Sequence, residues 1–230
     1  MGTPRGGYWH NNVKLVSVTQ ALGRFKDSKQ LIAWAYRQGR EHENMRARGI
    51  EDAPTNLYDK VQEAANAGTI AHNMIEGDIL DTPYTIPEGT EQPVIVAAQA
   101  AFEAYRRWRT GSKLTITDTE LGLKSTKHMF GGTLDALGLI DGKTVMIDWK
   151  TSNGVYSDYL IQVAAYAMLV EENTGQTMDG GFHLLRVSKT SGSFNHHHWP
   201  YESIMPLCGD QFLDYVRCYY RDYKVGSLLR

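Results

Sequence analysis

The sequence is poor in cysteine, and this scarcity limits the kinds of site that it can form. Cys208 and Cys218 are the only two cysteines among 230 residues. Two thiols cannot supply a disulfide framework, a four-cysteine zinc site or an iron–sulfur cluster. We therefore expect both cysteines to be reduced and no iron–sulfur cofactor to be present.

Long hydrophobic runs and a strong charge of either sign are also missing. No stretch approaches the about 20 consecutive apolar residues that cross a membrane, and the opening MGTPRGGYWHNN has no apolar signal-peptide core. The formal net charge of −2 provides no general attraction to a polyanion. We expect a soluble intracellular protein without a membrane partner, in which any nucleic acid would bind to a local basic surface.

With 42% hydrophobic residues, the chain can bury a substantial core. Residues 1–15 are predicted to be a loose lead-in, and residues 16–230 a single domain with a helical part (16–110) followed by a sheet core (111–230). Apolar spacing predicts two helices before Gly49, one from Tyr58 to Ile79 that Gly68 interrupts, and one from Val94 to Arg109.

After residue 110 the pattern changes to four short β-rich runs, KLTITDTELGLKS, FGGTLDALGLI, KTVMIDWKTS and GGFHLLRVSKT. The Asp141–Gly142 pair predicts a tight turn, so the first three runs form an antiparallel meander. A helix from Ser157, taken as its N-cap, to Gly175 separates the last two runs, and an amphipathic helix closes the chain. The expected fold class is α/β, with a central mixed sheet of about four or five strands flanked by helices.

Three polar residues meet on the second hairpin of this meander. Asp135 lies near the end of one strand, and Asp148 and Lys150 share a face of its partner because side chains alternate with period two. Two carboxylates beside an ammonium are favourable when a hard cation such as Mg²⁺ binds between the carboxylates and the lysine meets a phosphate or an attacking water. This trio is the predicted catalytic centre.

The segments GGTLD, IDWKTS and QVAAY resemble, in order and spacing, three motifs of the RecB-like branch of the PD-(D/E)XK nuclease superfamily. His72 in GTIAHNMIEGDI matches the helix histidine of that family. The opening VSVTQALGRFKDSKQLIAWA resembles the N-terminal helices of stand-alone members, including phage exonucleases and the mitochondrial genome maintenance exonuclease. The resemblance covers roughly residues 16 to 190.

The resemblance implies a role for each matching position. His72, Asp135 and Asp148 would be metal ligands, and the backbone carbonyl of Trp149 would complete the coordination. Lys150 would orient the water nucleophile and stabilise the charged transition state. Gln162 and Tyr166 would brace the site or contact the DNA backbone. Glu76, one helical turn from His72, and Glu120, on the preceding strand with a somewhat stronger resemblance to the family, are second-rank candidates for the metal shell, and a solvated carboxylate is the favoured interpretation of both.

The function implied is a Mg²⁺-dependent DNA exonuclease, with Mn²⁺ as a substitute, that acts on single-stranded or duplex ends in recombination, repair or phage DNA replication. Recombination or replication proteins would be its protein partners, and a bacterial or phage-infected cytoplasm its location. A structure-specific or sequence-specific endonuclease is one alternative, because the superfamily uses the same site for both modes. A catalytically silent nucleic-acid-binding or assembly module is another.

Three further groups of residues are open to plainer interpretations. The run His196, His197 and His198 is typical of a polar edge strand rather than a transition-metal site, because alternation sends the middle residue to the opposite face. Tyr105 and Trp108 could stack on bases, but core packing is favoured. Two clusters of arginines either flank a DNA channel or line solvated helix faces. They lie at positions 37, 40, 46 and 48 and at positions 106, 107 and 109.

Overall fold

The computed structural model of the protein describes residues 6–25, 29–50 and 57–228. Its helices are α1 Val18–Phe25, α2 Lys29–Ala47, α3 Leu57–Ile79, α4 Gln92–Gly111, α5 Ser157–Thr174, α6 Tyr201–Ile204 and α7 Asp210–Ser227, with a π-helical turn, Met205–Gly209, before α7. Its strands are β1 Trp9–His10, β2 Val13–Lys14, β3 Val16–Ser17, β4 Thr115–Ser125, β5 Phe130–Ile140, β6 Lys143–Lys150, β7 Gly181–Val187 and β8 Phe194–Trp199. None of the described helices is long and apolar enough to cross a membrane.

Within the described residues, the central sheet has six strands and is mixed. β4, β5 and β6 form the predicted antiparallel meander, and α5 crosses over to bring β7 parallel to β6. β8 adds an antiparallel edge, and β3 pairs parallel with the start of β5. The predicted α/β class with a mixed sheet is confirmed. The extra strand is β3, which is too short at two residues for alternation to reveal it.

Helices cover both faces of the sheet and divide the core into two clusters. Met146 on β6 faces a cluster shared with Leu169 of α5 and Phe212 of α7. Its neighbour Ile147 faces the other cluster, which α3 and α4 close with Ile75 and other apolar residues. Successive β6 residues therefore enter opposite cores, as expected for a strand buried on both faces.

Two features of the helices differ from the sequence prediction: the continuity of α3 and the first residue of α5. The interruption predicted at Gly68 is wrong, because α3 runs through it; a Cβ there would approach Thr151 Oγ1 to 2.9 Å, so glycine lets α3 lie close to the chain after β6. Ser157 is the first residue of α5 rather than its N-cap, a position that belongs to Tyr156. Gly175, with φ of +72°, ends α5 as predicted.

The two glycines of the GGTLD segment make room for two tyrosine rings. A Cβ on Gly131 would clash with Tyr8, and a Cβ on Gly132 would lie 2.7 Å from Tyr166 Cε1. Tyr8 is buried next to the β1–β2 hairpin, and its hydroxyl lies 2.6 Å from Thr133 Oγ1. The glycines thus let α5 and the segment before β3 approach β5 closely.

Substitution Gly132→Ala should destabilise the fold by about 1–3 kcal/mol, because the Tyr166 ring and Val18 must move to accept the new methyl group. Gly39→Ala is the matched control, since nothing lies within 4 Å of its Cβ position in α2 and the change should stabilise by about 0.5–1 kcal/mol. Urea unfolding of both variants measures the difference. Equal stability of the two would contradict the close packing at Gly132.

Candidate metal centre

The site forms where β5 departs from a regular strand. Leu134 and Leu137 both belong to the core cluster under α5, although residues three apart on a regular strand face opposite sides. Between them lies Asp135, opposite Glu120 in the β4 register, and Glu120 has a positive φ of +48°. Left-handed backbone at a non-glycine residue is strained and is enriched at functional sites. The backbone irregularity therefore falls at the two residues, Glu120 and Asp135, whose carboxylates converge.

Hydrogen bonds from neighbouring strands hold Asp135 in this conformation. The Trp149 backbone N–H donates to Asp135 Oδ2 at 2.7 Å, and Thr119 Oγ1 donates to the Asp135 carbonyl at 3.0 Å. One carboxylate oxygen thus takes a backbone donor from β6. The other oxygen, Oδ1, faces α3, where His72 Nδ1 lies 3.9 Å away.

Three side chains from three elements converge at this point. His72 of α3, Glu120 of β4 and Asp135 of β5 each offer a ligand atom within 4.8 Å of the other two. All three are half-buried, so the cluster is accessible from one side. An imidazole nitrogen with two carboxylate oxygens is a donor set that binds divalent cations such as Mn²⁺, Mg²⁺ or Zn²⁺. This cluster could hold a metal ion.

Asp148 lies next to this cluster and is paired with Lys150. The Lys150 ammonium donates to Asp148 Oδ1 at 2.8 Å and is 2.7 Å from Oδ2. The contact between the ammonium and Oδ2 lies outside hydrogen-bond geometry, so this buried oxygen has no hydrogen-bond donor. Asp148 is only 1% exposed. The ammonium 2.7 Å away offsets the charge of this oxygen, while its capacity to accept a hydrogen bond is unused.

The electrostatics of the carboxylates follow from burial and mutual repulsion. Burial, together with the nearby carboxylates of Asp135 and Glu76, raises the pKa of Glu120 to about 7. Burial also raises the pKa of Asp148 above its ordinary value; Lys150 opposes this shift, and Asp135 adds to it. Without a cation, these acids resist being charged together.

Lys150 stays protonated in this setting. Burial alone would lower its pKa, but the carboxylates of Asp148 and Asp135 outweigh burial and raise it. Its ammonium also lies 5.0 Å from the ring centre of Tyr159 on α5, which adds a cation–π contact.

The predicted bracing pair is formed on the same helix. Gln162 Nε2 donates to the Tyr166 hydroxyl at 2.9 Å, one turn apart on α5. Burial raises the pKa of the Tyr166 phenol above its ordinary value, and the Asp135 and Asp148 carboxylates act in the same direction. Tyr166 therefore remains a neutral hydrogen-bonding group under the site.

The predicted residues thus fall into two adjacent groups. His72 and Asp135 converge with Glu120, which the sequence ranked only second, while Asp148 joins Lys150 instead. Glu76 is close enough to affect the pKa of Glu120. The ligand role of the Trp149 carbonyl stays a prediction.

Tyr159 and Thr119 are contacts that sequence reasoning missed. Tyr159 lies one helical turn before Gln162, so the (i, i+3) spacing on α5 could have revealed it. Thr119 had no comparable signal, because its contact depends on the kink at the neighbouring residue.

The other singled-out groups take the plainer interpretation. His196 and His198 lie on one face of the edge strand β8 beside His183, and His183 Nδ1 is 2.8 Å from His196 Nε2. His197 stacks on Trp199 instead. The polar edge strand is confirmed. Tyr105 and Trp108 are buried against Trp149, as core packing predicts.

No protein-family model matches the chain. No curated protein matches it either. Among solved structures, it is similar to a candidate exonuclease from Eubacterium rectale, at 11% identity and a TM-score of 0.43, over 75% of this chain and 72% of that chain. It is also similar to an alkaline exonuclease from Laribacter hongkongensis, at 12% identity and a TM-score of 0.34, over 72% of this chain and 91% of that chain. Both TM-scores lie below 0.5, so these likenesses support no assignment of family or function.

Substitution Glu120→Gln should change the pH dependence of stability in metal-free buffer. The folded-state pKa of about 7 lies above the ordinary glutamate value of 4.5, so the native state binds more protons between these pH values and loses stability as pH rises. Removing the carboxyl should leave stability unchanged at acidic pH. Above pH 7 it should stabilise by about 1–2 kcal/mol, because one pKa unit corresponds to about 1.4 kcal/mol and partial exposure screens the effect.

Urea unfolding with EDTA at pH 4.5 and pH 8 measures this difference. Glu88→Gln, at an exposed loop position, is the control and should show the same stability change at both pH values. A Glu120→Gln effect of equal size at both pH values would contradict the raised pKa.

Substitution Asp135→Asn should weaken Mn²⁺ binding by about 10- to 100-fold or more, because it removes one charged oxygen from the cluster. Titration calorimetry of the purified protein measures the affinity directly and needs no substrate. Glu120→Gln should weaken binding comparably, whereas Glu88→Gln should not. Unchanged affinity in both site variants would show that the ion binds elsewhere.

Proposed function

We propose that this protein is a divalent-metal-dependent deoxyribonuclease that hydrolyses phosphodiester bonds. The observation that carries this proposal is the placement of the His72, Glu120 and Asp135 cluster beside the buried Asp148–Lys150 pair. A metal site and a fixed cation close together suit the hydrolysis of an anionic ester, because a metal activates the water nucleophile and both groups stabilise the developing negative charge. The order of the GGTLD, IDWKTS and QVAAY segments supports a RecB-like PD-(D/E)XK nuclease.

The residues present fit a resident divalent cation. The oxygen of Asp148 that lacks a hydrogen-bond donor is buried, and Asp135, one of the three converging donors, is close enough to raise the pKa of Asp148. His72, Glu120 and Asp135 would hold the ion, with Asp148 Oδ2 as a further ligand. When bound, a Mg²⁺ ion supplies charge stabilisation and lowers the pKa of water.

The chain's own residues perform the remaining tasks. Lys150 carries three N–H donors, and its contact with Asp148 leaves donors for a non-bridging phosphate oxygen or for the attacking water. Lys150 supplies a positive charge beside the reacting phosphate. Asp148 orients that ammonium, and Tyr159 limits its motion from the other side.

The finer proposal is an exonuclease that acts on DNA ends with Mg²⁺, or with Mn²⁺ as a substitute. Its support is the resemblance of both the motifs and the N-terminal helices to stand-alone RecB-like exonucleases. Recombination, repair or phage DNA replication is the setting in which such an enzyme would act.

Purified protein with Mg²⁺ should degrade end-labelled linear DNA and leave covalently closed circles intact. Lys150→Ala and Asp148→Ala should each lower the rate by about 100-fold or more, because each removes one member of the charged pair from the reacting centre. A single gel series with single-stranded, duplex and circular substrates measures all of these rates.

Lys113→Ala is the matched control, since Lys113 is an exposed lysine that pairs with Asp141, away from the cluster. It should retain the wild-type rate. Cleavage of circles would replace the exonuclease by an endonuclease. No cleavage of any DNA with Mg²⁺ or Mn²⁺ would refute the nuclease proposal.

A further inference from the structure

Arg186 lies beside the catalytic lysine on the neighbouring strand. β6 and β7 are parallel, and their register pairs Lys150 with Arg186. Paired residues on adjacent strands are about 4.8 Å apart and point to the same face of the sheet. That face is the one that Asp148 and Lys150 share and that Tyr159 of α5 covers. The α5 crossover thus places two cations side by side at the same end of the sheet.

Neutral acceptors hold the Arg186 guanidinium in place. Its Nη1 donates to the Ser152 carbonyl at 3.3 Å, and its Nη2 donates to Asn195 Oδ1 of β8. Asn195 is also the residue that pairs with Arg186 across the β7–β8 ladder. A half-buried arginine is therefore fixed between the loop after β6 and the edge strand.

The charge of Arg186 is not neutralised by these contacts. In the described part of the chain, its hydrogen-bond acceptors are a carbonyl and an amide, and no carboxylate lies within ion-pair distance of it. Lys150, in contrast, is paired with Asp148. A guanidinium has five N–H donors in a planar fork, so donors remain for a phosphate.

We infer that Arg186 is a phosphate-binding residue that holds the backbone of the DNA strand next to the phosphate at Lys150; this inference rests on the proposed nuclease function. Its fixed position reduces the entropy lost on binding, and its uncompensated charge attracts the polyanion. Ser152 and Asn195 are positioning residues for the guanidinium.

A bracing role for Arg186 is the structural alternative. Its bonds to Ser152 and Asn195 tie the loop after Lys150 to β8, so loss of Arg186 could loosen that loop without any contact to DNA. The two roles differ in the salt dependence of binding. Each phosphate contact contributes about 0.7 to the slope of log affinity against log salt for a single strand, whereas a brace contributes nothing.

Substitution Arg186→Gln should weaken binding of a fluorescent single-stranded oligonucleotide about tenfold in EDTA, where a metal-dependent enzyme does not cut. The salt slope, measured by anisotropy between about 50 and 200 mM salt, should fall by about 0.7. In cleavage assays with Mg²⁺, KM should rise more than kcat falls, because the contact is to a phosphate that does not react.

Three further variants distinguish an effect of the Arg186 charge from an effect on the fold. Arg186→Lys should keep the salt slope, because the charge remains. Asn195→Ala should keep most of the slope, because it removes only an acceptor of the guanidinium. Arg217→Gln is the matched control for lost charge, since Arg217 pairs with Asp214 on α7, and it should keep the wild-type slope.

The outcomes distinguish this inference from the proposed function. If the wild type cuts DNA but Arg186→Gln binds with an unchanged slope, Arg186 is a brace and only the phosphate contact is overturned. An equal loss of slope in Arg217→Gln would also overturn it, because the effect would then reflect net charge alone. If the wild type neither binds nor cuts DNA, both the nuclease and the phosphate contact are refuted.

Discussion

The kink in the β4–β5 pair is the constraint on which the candidate site depends. Residues directly opposite each other on antiparallel strands share a face of the sheet, so Asp135 and Glu120 are neighbours across the β4–β5 pair. The left-handed backbone at Glu120 and the two hydrogen bonds to Asp135 then set the directions in which both carboxylates converge with His72 of α3. Backbone strain at Glu120 thus accompanies three donor side chains that lie close together.

The acids in and beside that donor set are unfavourable in their charged forms. Glu120 and Asp148 both have a raised pKa because burial and neighbouring carboxylates disfavour their charged forms. Lys150 satisfies one oxygen of Asp148 and leaves the other without a hydrogen-bond donor. A divalent cation would reduce the repulsion among these carboxylates, and the cluster and the ion pair form one polar unit.

The crossover helix α5 organises the other side of this unit. Its Tyr159 faces the Lys150 ammonium, and its Gln162–Tyr166 pair packs over β5, where Gly132 leaves space for the tyrosine ring. The same crossover makes β7 parallel to β6 and so brings Arg186 next to Lys150. One helix therefore aligns Lys150, its aromatic contact and a second cation.

Local patterns in the sequence determined the α/β class, the meander, the crossover helix and the position of Asp148 and Lys150 on one face. Alternation, turn residues and motif order depend on neighbours in the chain, so they can be read without tertiary structure. Tertiary structure alone decided that Glu120 joins His72 and Asp135, because a positive φ within a strand leaves no periodic signal. It also decided that Arg186 meets Lys150, because the register of two parallel strands is set by how a helix packs between them.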